Sequence, residues 1–141
     1  MALKFNGKDQ TVGISEEEGR QNLIKGLKSD NKAYIYHCYN HYFCPIGFEM
    51  TPSKPYHAYQ EDLSKIEELE TWFIIGEVSK CYPPMHVFKW RDILLDLNQA
   101  FPKFLNIRKL DLGIQEKTSQ CFKTGSKAGG NLHCIIEFER K

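Results

Sequence analysis

The first group of hydrophobic residues with helical spacing follows a helix-capping sequence. Ser15 lies three residues before Glu18, so the serine side chain can accept a free backbone N–H of the first turn while the glutamate reaches back. Three apolar residues then fall on one helix face, namely Leu23, Ile24 and Leu27. This pattern predicts a helix that begins after Ser15 and ends near residue 28.

A second helix is predicted over residues 89–100. Its apolar stripe recurs every three or four positions and consists of Trp90, Ile93, Leu94 and Leu97. Pro102 limits this helix, because proline lacks the backbone N–H that a helix interior requires. Residues 61–70 are acidic and have roughly helical spacing of their apolar residues, so a short helix is also predicted there.

Four other segments are rich in the aromatic and β-branched residues that favour strands, at residues 33–39, 42–50, 72–75 and 132–139. Alternation predicts an apolar face for the second segment that consists of Tyr42, Cys44, Ile46 and Phe48. The predicted apolar face of the last segment consists of Leu132, Cys134, Ile136 and Phe138, with His133 and Glu137 on the other face. Residues 72–75 are apolar on both faces, which is typical of a central strand.

Pro45 interrupts the second of these predicted strands. Proline cannot donate a hydrogen bond to a neighbouring strand, so this strand is predicted to lie at a sheet edge or to contain a bulge at Pro45. Helices and strands do not alternate regularly along the chain. We therefore predict an α+β fold with a mostly antiparallel sheet of four or five strands and at least two packed helices.

The length and composition are those of one globular domain. The chain has 141 residues, of which 41% are hydrophobic, and a chain of this length can bury a core without disulfides or a structural metal. We expect a single domain over residues 1–141. Within it, residues 1–14 are expected to form a polar lead and residues 51–70 a long acidic connection.

The charge pattern gives no sign of a nucleic-acid or membrane partner. The chain has 19 basic and 18 acidic side chains, for a net charge of +1, and no run of five like charges occurs. No apolar stretch reaches the roughly 18 residues of a membrane span, and the N-terminus has no apolar run like that of a signal peptide. We therefore expect the five cysteines to be thiols in a cytoplasmic protein, with a nuclear location also compatible.

Four potential zinc ligands lie close together in the sequence, namely His37, Cys38, His41 and Cys44. Along a strand, His37 and Cys38 point to opposite faces, and the apolar alternation places Cys44 in the core. A metal site needs ligands that converge on one cavity. We therefore expect no metal and no other cofactor, and zinc binding stays an alternative.

Cysteine–histidine catalysis is another alternative, because a thiolate nucleophile needs a nearby histidine. His41 and His133 each begin an apolar strand. The strand from His41 resembles the histidine strand of papain-like peptidases, where the catalytic histidine heads an apolar strand that ends in glycine and an aromatic residue. That resemblance implies a nucleophilic cysteine on an upstream helix, and the helix after Ser15 contains none. Only a permuted order, with Cys81 or Cys121 as the nucleophile, would complete the site.

Aromatic residues are dense between residues 34 and 48. Exposed aromatic side chains can stack on RNA bases, but the combination of glycine, aromatic and basic residues typical of RNA-reading strands is missing, so RNA binding is only an alternative. One strand face consists of Tyr39, His41 and Phe43. We predict this face as a contact patch for a protein or peptide partner.

Three stretches, at residues 34–49, residues 90–98 with 105–108, and residues 129–136, together resemble the basic immunoglobulin-like variable motif-containing protein family. The first stretch is the most specific, and the resemblance spans residues 33–138. It implies no activity, substrate or catalytic residue, because the family has none that is accepted, and vertebrate members are longer and more basic. The family name refers to a short motif, and the predicted helices argue against an immunoglobulin sandwich.

The leading hypothesis from the sequence is a non-catalytic protein-interaction or scaffold domain, because no complete catalytic set converges. A papain-related cysteine hydrolase, or an inactive relative of one with His41 or His133 at a strand start, is the first alternative. A zinc-binding or RNA-binding module is the second. The candidate functional cluster consists of His37, Cys38, Tyr39, His41, Phe43, Cys81, Cys121 and His133.

Overall fold

The computed structural model describes residues 2–5, 13–38, 41–62, 66, 68–100, 102–116 and 133–141, with residues 2–5 described by their backbone. Its elements in chain order are β1 (Ala2–Phe5), α1 (Glu16–Leu27), β2 (Lys32–Cys38), β3 (His41–Pro52), β4 (Leu69–Glu77), β5 (Met85–Lys89), α2 (Trp90–Leu97), β6 (Lys103–Leu105), β7 (Ile114–Glu116) and β8 (Cys134–Glu139). Short 3₁₀ turns occur at Pro55–Tyr59 and Leu110–Leu112.

The described strands form one six-stranded sheet and one short ribbon. The sheet order is β1-β8-β2-β3-β4-β5, and every neighbouring pair is antiparallel. Strands β6 and β7 pair separately. The predicted α+β class, with a mostly antiparallel sheet and two packed helices, is confirmed. The sheet is wide because β1 and β5, which the sequence analysis did not predict as strands, join it at its two edges.

Both helices pack on one face of the sheet, which we call the helix face. Its core residues from the strands are Tyr34, Tyr36, Phe43, Phe73 and Ile75. The helices contribute Leu23 and Ile24 from α1, and Ile93 and Leu97 from α2. The opposite face of the sheet is called the outer face, and no helix of the described chain packs on it.

The predicted start of α1 is confirmed. The Ser15 side chain accepts a hydrogen bond from the backbone N–H of Glu18 at 3.1 Å, and the helix ends at Leu27. Gly26 lets this helix approach β2 closely, because a Cβ atom at that position would lie 1.5 Å from Tyr34 Oη. Helix α2 ends at Leu97, three residues before the predicted limit, where the backbone N–H of Asn98 bonds back into the helix.

A bulge in β3 changes which of its residues face the helices. The register with β4 shifts between Pro45 and Gly47, which confirms the predicted irregularity at Pro45. Before the bulge Phe43 and Pro45 are buried, and after it Phe48 pairs with Phe73 on the helix face. The predicted apolar core face is therefore wrong for Tyr42, Cys44 and Ile46, which lie on the outer face; Tyr42 is 57% exposed and Ile46 is 54% exposed.

The predicted apolar face of β8 is also wrong. Ile135 and Glu137 lie opposite the two buried tyrosines of β2 and point to the helix face, whereas Phe138 is 44% exposed on the outer face. Alternation failed here because two polar side chains on the helix face, His133 and Glu137, are buried and hydrogen-bonded.

The connection between β3 and β4 differs from its prediction. Leu69 and Glu70 begin β4, and the described residues 61, 62, 66 and 68 are not helical, so the short helix predicted over residues 61–70 is wrong in the described part.

Candidate functional site

Polar side chains collect on the helix face at one end of the sheet. Strand register places His41 opposite Cys38, Glu77 opposite Phe43, and His86 opposite Ile75. The strands β2 to β5 thus bring a thiol, two imidazoles and a carboxylate to the same end of the same face. Of these groups the sequence analysis had singled out Cys38 and His41.

Glu77 is the centre of this cluster, and its side chain is completely buried. One carboxylate oxygen lies 2.7 Å from His41 Nε2 and accepts the backbone N–H of Ser79 at 2.8 Å. The other oxygen lies 3.1 Å from Arg108 Nε and 3.4 Å from His86 Nε2. Because a carboxylate only accepts hydrogen bonds, the His41 Nε2 atom carries a proton in this contact.

These contacts keep Glu77 ionised. Burial alone would raise the pKa of the Glu77 carboxyl, but the hydrogen bonds from Ser79 and His41 and the charge of Arg108 outweigh it and hold the pKa below its usual value. The cluster therefore contains a buried anion that is neutralised by a guanidinium. We call Glu77, His41, His86 and Arg108 the Glu77 cluster.

Aromatic rings hold the Arg108 guanidinium in place. Its central carbon lies 4.2 Å from the Tyr82 ring centroid and 5.1 Å from that of Phe43. Stacking of this kind favours arginine over lysine, because the guanidinium is planar. Sequence reasoning missed Arg108, since nothing in residues 105–108 indicates a buried charge. Glu77 was weakly indicated by the sequence, because a carboxylate that comes just after an apolar strand segment is a candidate for a polar group at the end of that strand.

A second polar group lies beneath α2. The Asp96 carboxylate accepts a hydrogen bond from the Tyr36 hydroxyl, and its other oxygen lies 2.8 Å from His133 Nδ1. All three side chains are buried. Burial and the Asp96 charge raise the pKa of the Tyr36 hydroxyl, so it stays protonated as the donor. Asp96 lies within the apolar stripe of α2. A charged residue in such a stripe is the sequence signal that could have identified it as a buried polar group.

Cys38 lies on the helix face with both polar groups nearby, but its thiol is not activated. Its Sγ donates a hydrogen bond to the backbone carbonyl of His41 at 3.6 Å, rather than to a ring nitrogen. Burial, together with the Asp96 charge, raises the pKa of the Cys38 thiol far above its usual value. A thiol in this environment stays protonated at neutral pH.

Two other predicted site residues, His37 and Cys81, lie away from these groups. His37 lies on the outer face, where its ring stacks on Tyr42 at 4.5 Å between centroids. Cys81 is exposed in the loop between β4 and β5. Tyr39 and Cys121 lie outside the described residues.

Two members of the predicted contact patch, His41 and Phe43, lie on the helix face of the sheet and not on its outer face. Phe43 is fully buried, and His41 points to the helix face and contacts Glu77. Pairing with β2 is the physical reason, because His41 and Phe43 lie opposite Cys38 and Tyr36 of the core, which turns the neighbouring Tyr42 outward. Within the described residues, no group of three or more histidine, cysteine, aspartate or glutamate side chains could hold a metal ion.

A third buried carboxylate lies under α1. Glu137 accepts hydrogen bonds from the Tyr34 hydroxyl at 2.5 Å and from Lys32 Nζ at 2.7 Å. Burial raises the pKa of the Glu137 carboxyl, but these two donors outweigh it and lower the pKa overall. A cavity of about 310 Å³ lies beside this pair, and its described lining, which includes Leu23 and Ile135, contains neither cysteine nor histidine.

The outer face carries apolar side chains across five strands. Register places two neighbouring rows side by side, and we call their ten positions the outer apolar field: Ala33, Ile35, Cys44, Ile46, Ile74, Gly76, Met85, Val87, Ile136 and Phe138. Ile46 belongs to it although it lies in the bulge, because its side chain approaches Gly76 next to Cys44. Met85 is 58% exposed and Val87 is 54% exposed.

These features define a class of protein, an α+β domain with buried polar groups between sheet and helices and with an apolar sheet face on which neither helix of the described residues packs. A family model described as basic immunoglobulin-like variable motif-containing protein matches residues 1–141. The chain belongs to this family. The fold is not an immunoglobulin sandwich, because the described strands form one main sheet with helices on it.

Relatives of the same description come from distant organisms. The chain is 47% identical to the protein from Mus musculus and 46% identical to that from Homo sapiens, each over 137 residues. These matches cover 97% of this chain and 26% of the relative, so the chain spans about a quarter of the length of these relatives. The protein from Giardia intestinalis is 24% identical over 134 residues, which cover 82% of this chain and 49% of that protein.

The chain has no match among solved structures. In the described residues, neither helix has the length and apolar character that crossing a membrane would require.

Proposed function

We propose that this domain is a non-catalytic protein-interaction module, and that its outer apolar field binds a protein partner. The observation that carries the proposal is the exposure of large apolar side chains on a sheet face that the helices leave uncovered. Contiguous apolar surface of this kind is uncommon on monomers and usually marks a binding surface. The free cysteines are consistent with a cytoplasmic or nuclear setting.

The polar groups of the interior support a structural role rather than catalysis. Asp96 and Glu77 each have their hydrogen bonds directed to neighbouring buried side chains, and Cys38 is held as a neutral thiol. Catalysis needs a reactive atom that a substrate can reach. A buried and hydrogen-bonded group such as Asp96 instead fixes how the strands and helices pack.

The proposal is tested by placing a charge in the field. Val87→Glu should abolish retention of the partner, because burying an unpaired carboxylate in an apolar interface is unfavourable. Leu112→Glu is the matched control, since Leu112 is 50% exposed in a 3₁₀ turn away from the sheet. Immobilised native and variant domains are incubated with eukaryotic cell extract, and retained proteins are quantified by mass spectrometry. Identical profiles for all three domains would contradict the proposal.

One observation favours a second candidate, a scaffold related to cysteine hydrolases. His41 begins β3, and its Nε2 atom lies 2.7 Å from a carboxylate at the end of the neighbouring β4. A carboxylate in this position orients a catalytic imidazole in known hydrolases. This pair would be the acid–base half of such a site.

Cysteine alkylation separates the two candidates. For the interaction module, native protein at neutral pH should show slow labelling of the buried Cys38 and Cys134, and ordinary labelling of the exposed Cys81. The measurement is peptide mass spectrometry over time, with unfolded protein as the reference for full access. A cysteine that reacts faster in the native than in the unfolded state would favour the hydrolase.

A further inference from the structure

The cavity between α1 and the sheet has a helix wall with little side-chain volume. Gly19, Leu23 and Gly26 recur at intervals of four and three residues, so they lie on the same face of α1 and line the cavity together. The two glycines contribute no side chain there, and space therefore remains between the helix and the strands. At about 310 Å³ this space has the size of a small-molecule site.

The described lining of this cavity combines apolar walls with a buried carboxylate. Leu23 of α1 and Ile135 of β8 are buried and form part of the walls. Glu137 of β8 lines the cavity as well, and its side chain is only 11% exposed. Apolar walls that enclose a convergent polar group are typical of sites for small organic molecules, where the polar group fixes the orientation of the ligand.

We propose that this cavity binds a small apolar amine, whose ammonium group pairs with the Glu137 carboxylate. The site lies on the helix face, so the proposal goes beyond partner binding at the outer apolar field and does not depend on it. The same pairing already exists within the chain, because Lys32 Nζ lies 2.7 Å from one carboxylate oxygen. The Lys32 side chain is 27% exposed on a flexible stem, so its ammonium can move into solvent when a ligand ammonium takes its place.

A ligand in this cavity needs a hydrogen-bond donor, because it covers an anion. Burial raises the pKa of the Glu137 carboxyl, but Lys32 and Tyr34 lower it overall, so the group is ionised at neutral pH. A carboxylate has about four acceptor positions, and these two described donors occupy two of them. A purely apolar ligand would displace water from the carboxylate without replacing its hydrogen bonds, which is unfavourable. An ammonium group replaces them with a charge-assisted hydrogen bond.

An anionic ligand fits the cavity less well than a cation does. The lysines of the described lining are Lys25, which is exposed at the rim, and Lys32, which is already paired with Glu137. A carboxylate or phosphate inside the cavity would therefore lie beside the Glu137 charge without a buried cation of its own, and like charges repel. The sign of the buried charge thus selects a cation.

The first test compares three probes of similar shape that differ in charge, namely phenethylamine, phenethyl alcohol and phenylacetate. Calorimetric titration of the native chain at neutral pH should give a Kd of about 0.1–1 mM for the amine, because molecules this small have limited binding energy. The alcohol should bind about tenfold more weakly, since its hydrogen bond lacks the charge, and the anion should not bind measurably. Amide chemical shifts measured by NMR should change around Leu23, Gly26 and Ile135, which line the cavity.

Substitutions of the two paired residues should change the affinity in opposite directions. Glu137→Gln removes the charge that the ammonium needs and should weaken amine binding by about tenfold or more. Lys32→Met removes the ammonium that occupies the carboxylate and should tighten amine binding by about two- to fivefold, which corresponds to a partly exposed ion pair. Glu139→Gln is the matched control, because Glu139 is exposed on the same strand outside the described lining, and it should change the Kd by less than about twofold.

Folding of every variant is checked by circular dichroism. If Glu137→Gln does not fold, Leu23→Phe takes its place, because a larger side chain at the cavity wall should block the amine without changing a charge. Absence of amine binding to the native chain overturns the proposal, and so does equal binding of the three probes. Weaker amine binding in Lys32→Met, or chemical shift changes confined to the outer face, overturns it as well.

Discussion

Single buried polar residues carry much of the specificity of this interior. Asp96 joins β2, α2 and the residue before β8 through one carboxylate, and Glu77 joins three strands and the Arg108 loop. In both cases the charge is surrounded by donors, which offsets the cost of removing it from water. A residue of this kind is costly to remove, because its partners remain buried and lose their hydrogen bonds.

Removing the Asp96 carboxylate should destabilise the domain strongly. In Asp96→Ala the Tyr36 hydroxyl and His133 Nδ1 stay buried without an acceptor, and we expect the free energy of unfolding to fall by roughly 2–5 kcal/mol. Urea denaturation followed by tryptophan fluorescence measures this loss. Asp92→Ala on the same helix is the control, because Asp92 is partly exposed, and its effect should stay below about 1 kcal/mol. Equal losses in both variants would refute a special role for Asp96.

At the scale of elements, glycine sets the distance between α1 and the sheet. Glycine inside a helix normally costs about 0.5–1 kcal/mol relative to alanine. Glycine is required at position 26 despite this cost, because the Tyr34 hydroxyl, which donates a hydrogen bond to Glu137, lies where a Cβ atom would be. The helix therefore rests on β2 at a separation that no larger residue permits.

Gly26→Ala should consequently lower the free energy of unfolding, whereas the same substitution inside a helix normally raises it. The new Cβ would lie 1.5 Å from Tyr34 Oη, so the helix or the tyrosine must move, and we expect a loss of about 1–3 kcal/mol instead of a gain. Thermal and urea unfolding report the change. Lys25→Ala at the exposed neighbouring position should alter stability by less than about 0.5 kcal/mol. A more stable Gly26→Ala protein would show that this close approach does not exist.

At the scale of the whole molecule, buried carboxylates of the described residues lie in three separate places between the sheet and its surroundings on the helix face. Glu77 lies at one end of the sheet, Glu137 under α1 and Asp96 under α2. The contacts around Glu77 and Glu137 lower the pKa of each carboxyl. The fold therefore depends on Glu77 and Glu137 being ionised, and acid should destabilise it at both places.

The sign of the pH dependence is set by the lowered pKa values. A carboxyl whose folded pKa lies below its unfolded value of about 4.5 stabilises the protein above that pH, and this contribution is lost as the pH falls through the folded pKa. Urea midpoints measured between pH 7 and pH 3 should therefore fall most steeply below about pH 4.5. Glu77→Gln and Glu137→Gln should each be less stable at pH 7 and show a shallower decline, whereas Glu68→Gln serves as the surface control. Native-like slopes in both buried variants would contradict this assignment.

The sequence predicted the helices and the fold class because their signals are local. The Ser15 cap and the apolar stripe of α2 depend on neighbours a few residues apart, and both helices were found. Strand faces depend on distant pairing, and the alternation in β3 and β8 was misjudged where a bulge or a paired polar residue intervened.

The candidate site was predicted less completely than the fold, for the same reason. His41 and His133 were singled out, but their carboxylate partners are 36 and 37 residues away in the chain, and Arg108 comes from an irregular loop. Alternation along one strand shows which residues share a face. It cannot show which charge from another element lies above them.

The single extra residue at the Pro45 bulge has a consequence for the whole hairpin. It determines to which face of the sheet every later side chain of β3 points, from Gly47 to the end of the strand. If β3 kept Ile46 but lost the bulge, Ile46 would lie opposite Ile74, and Phe48 would exchange its buried place with Glu49. One extra residue in β3 thus decides whether the side chain of Phe48 or that of Glu49 faces the core.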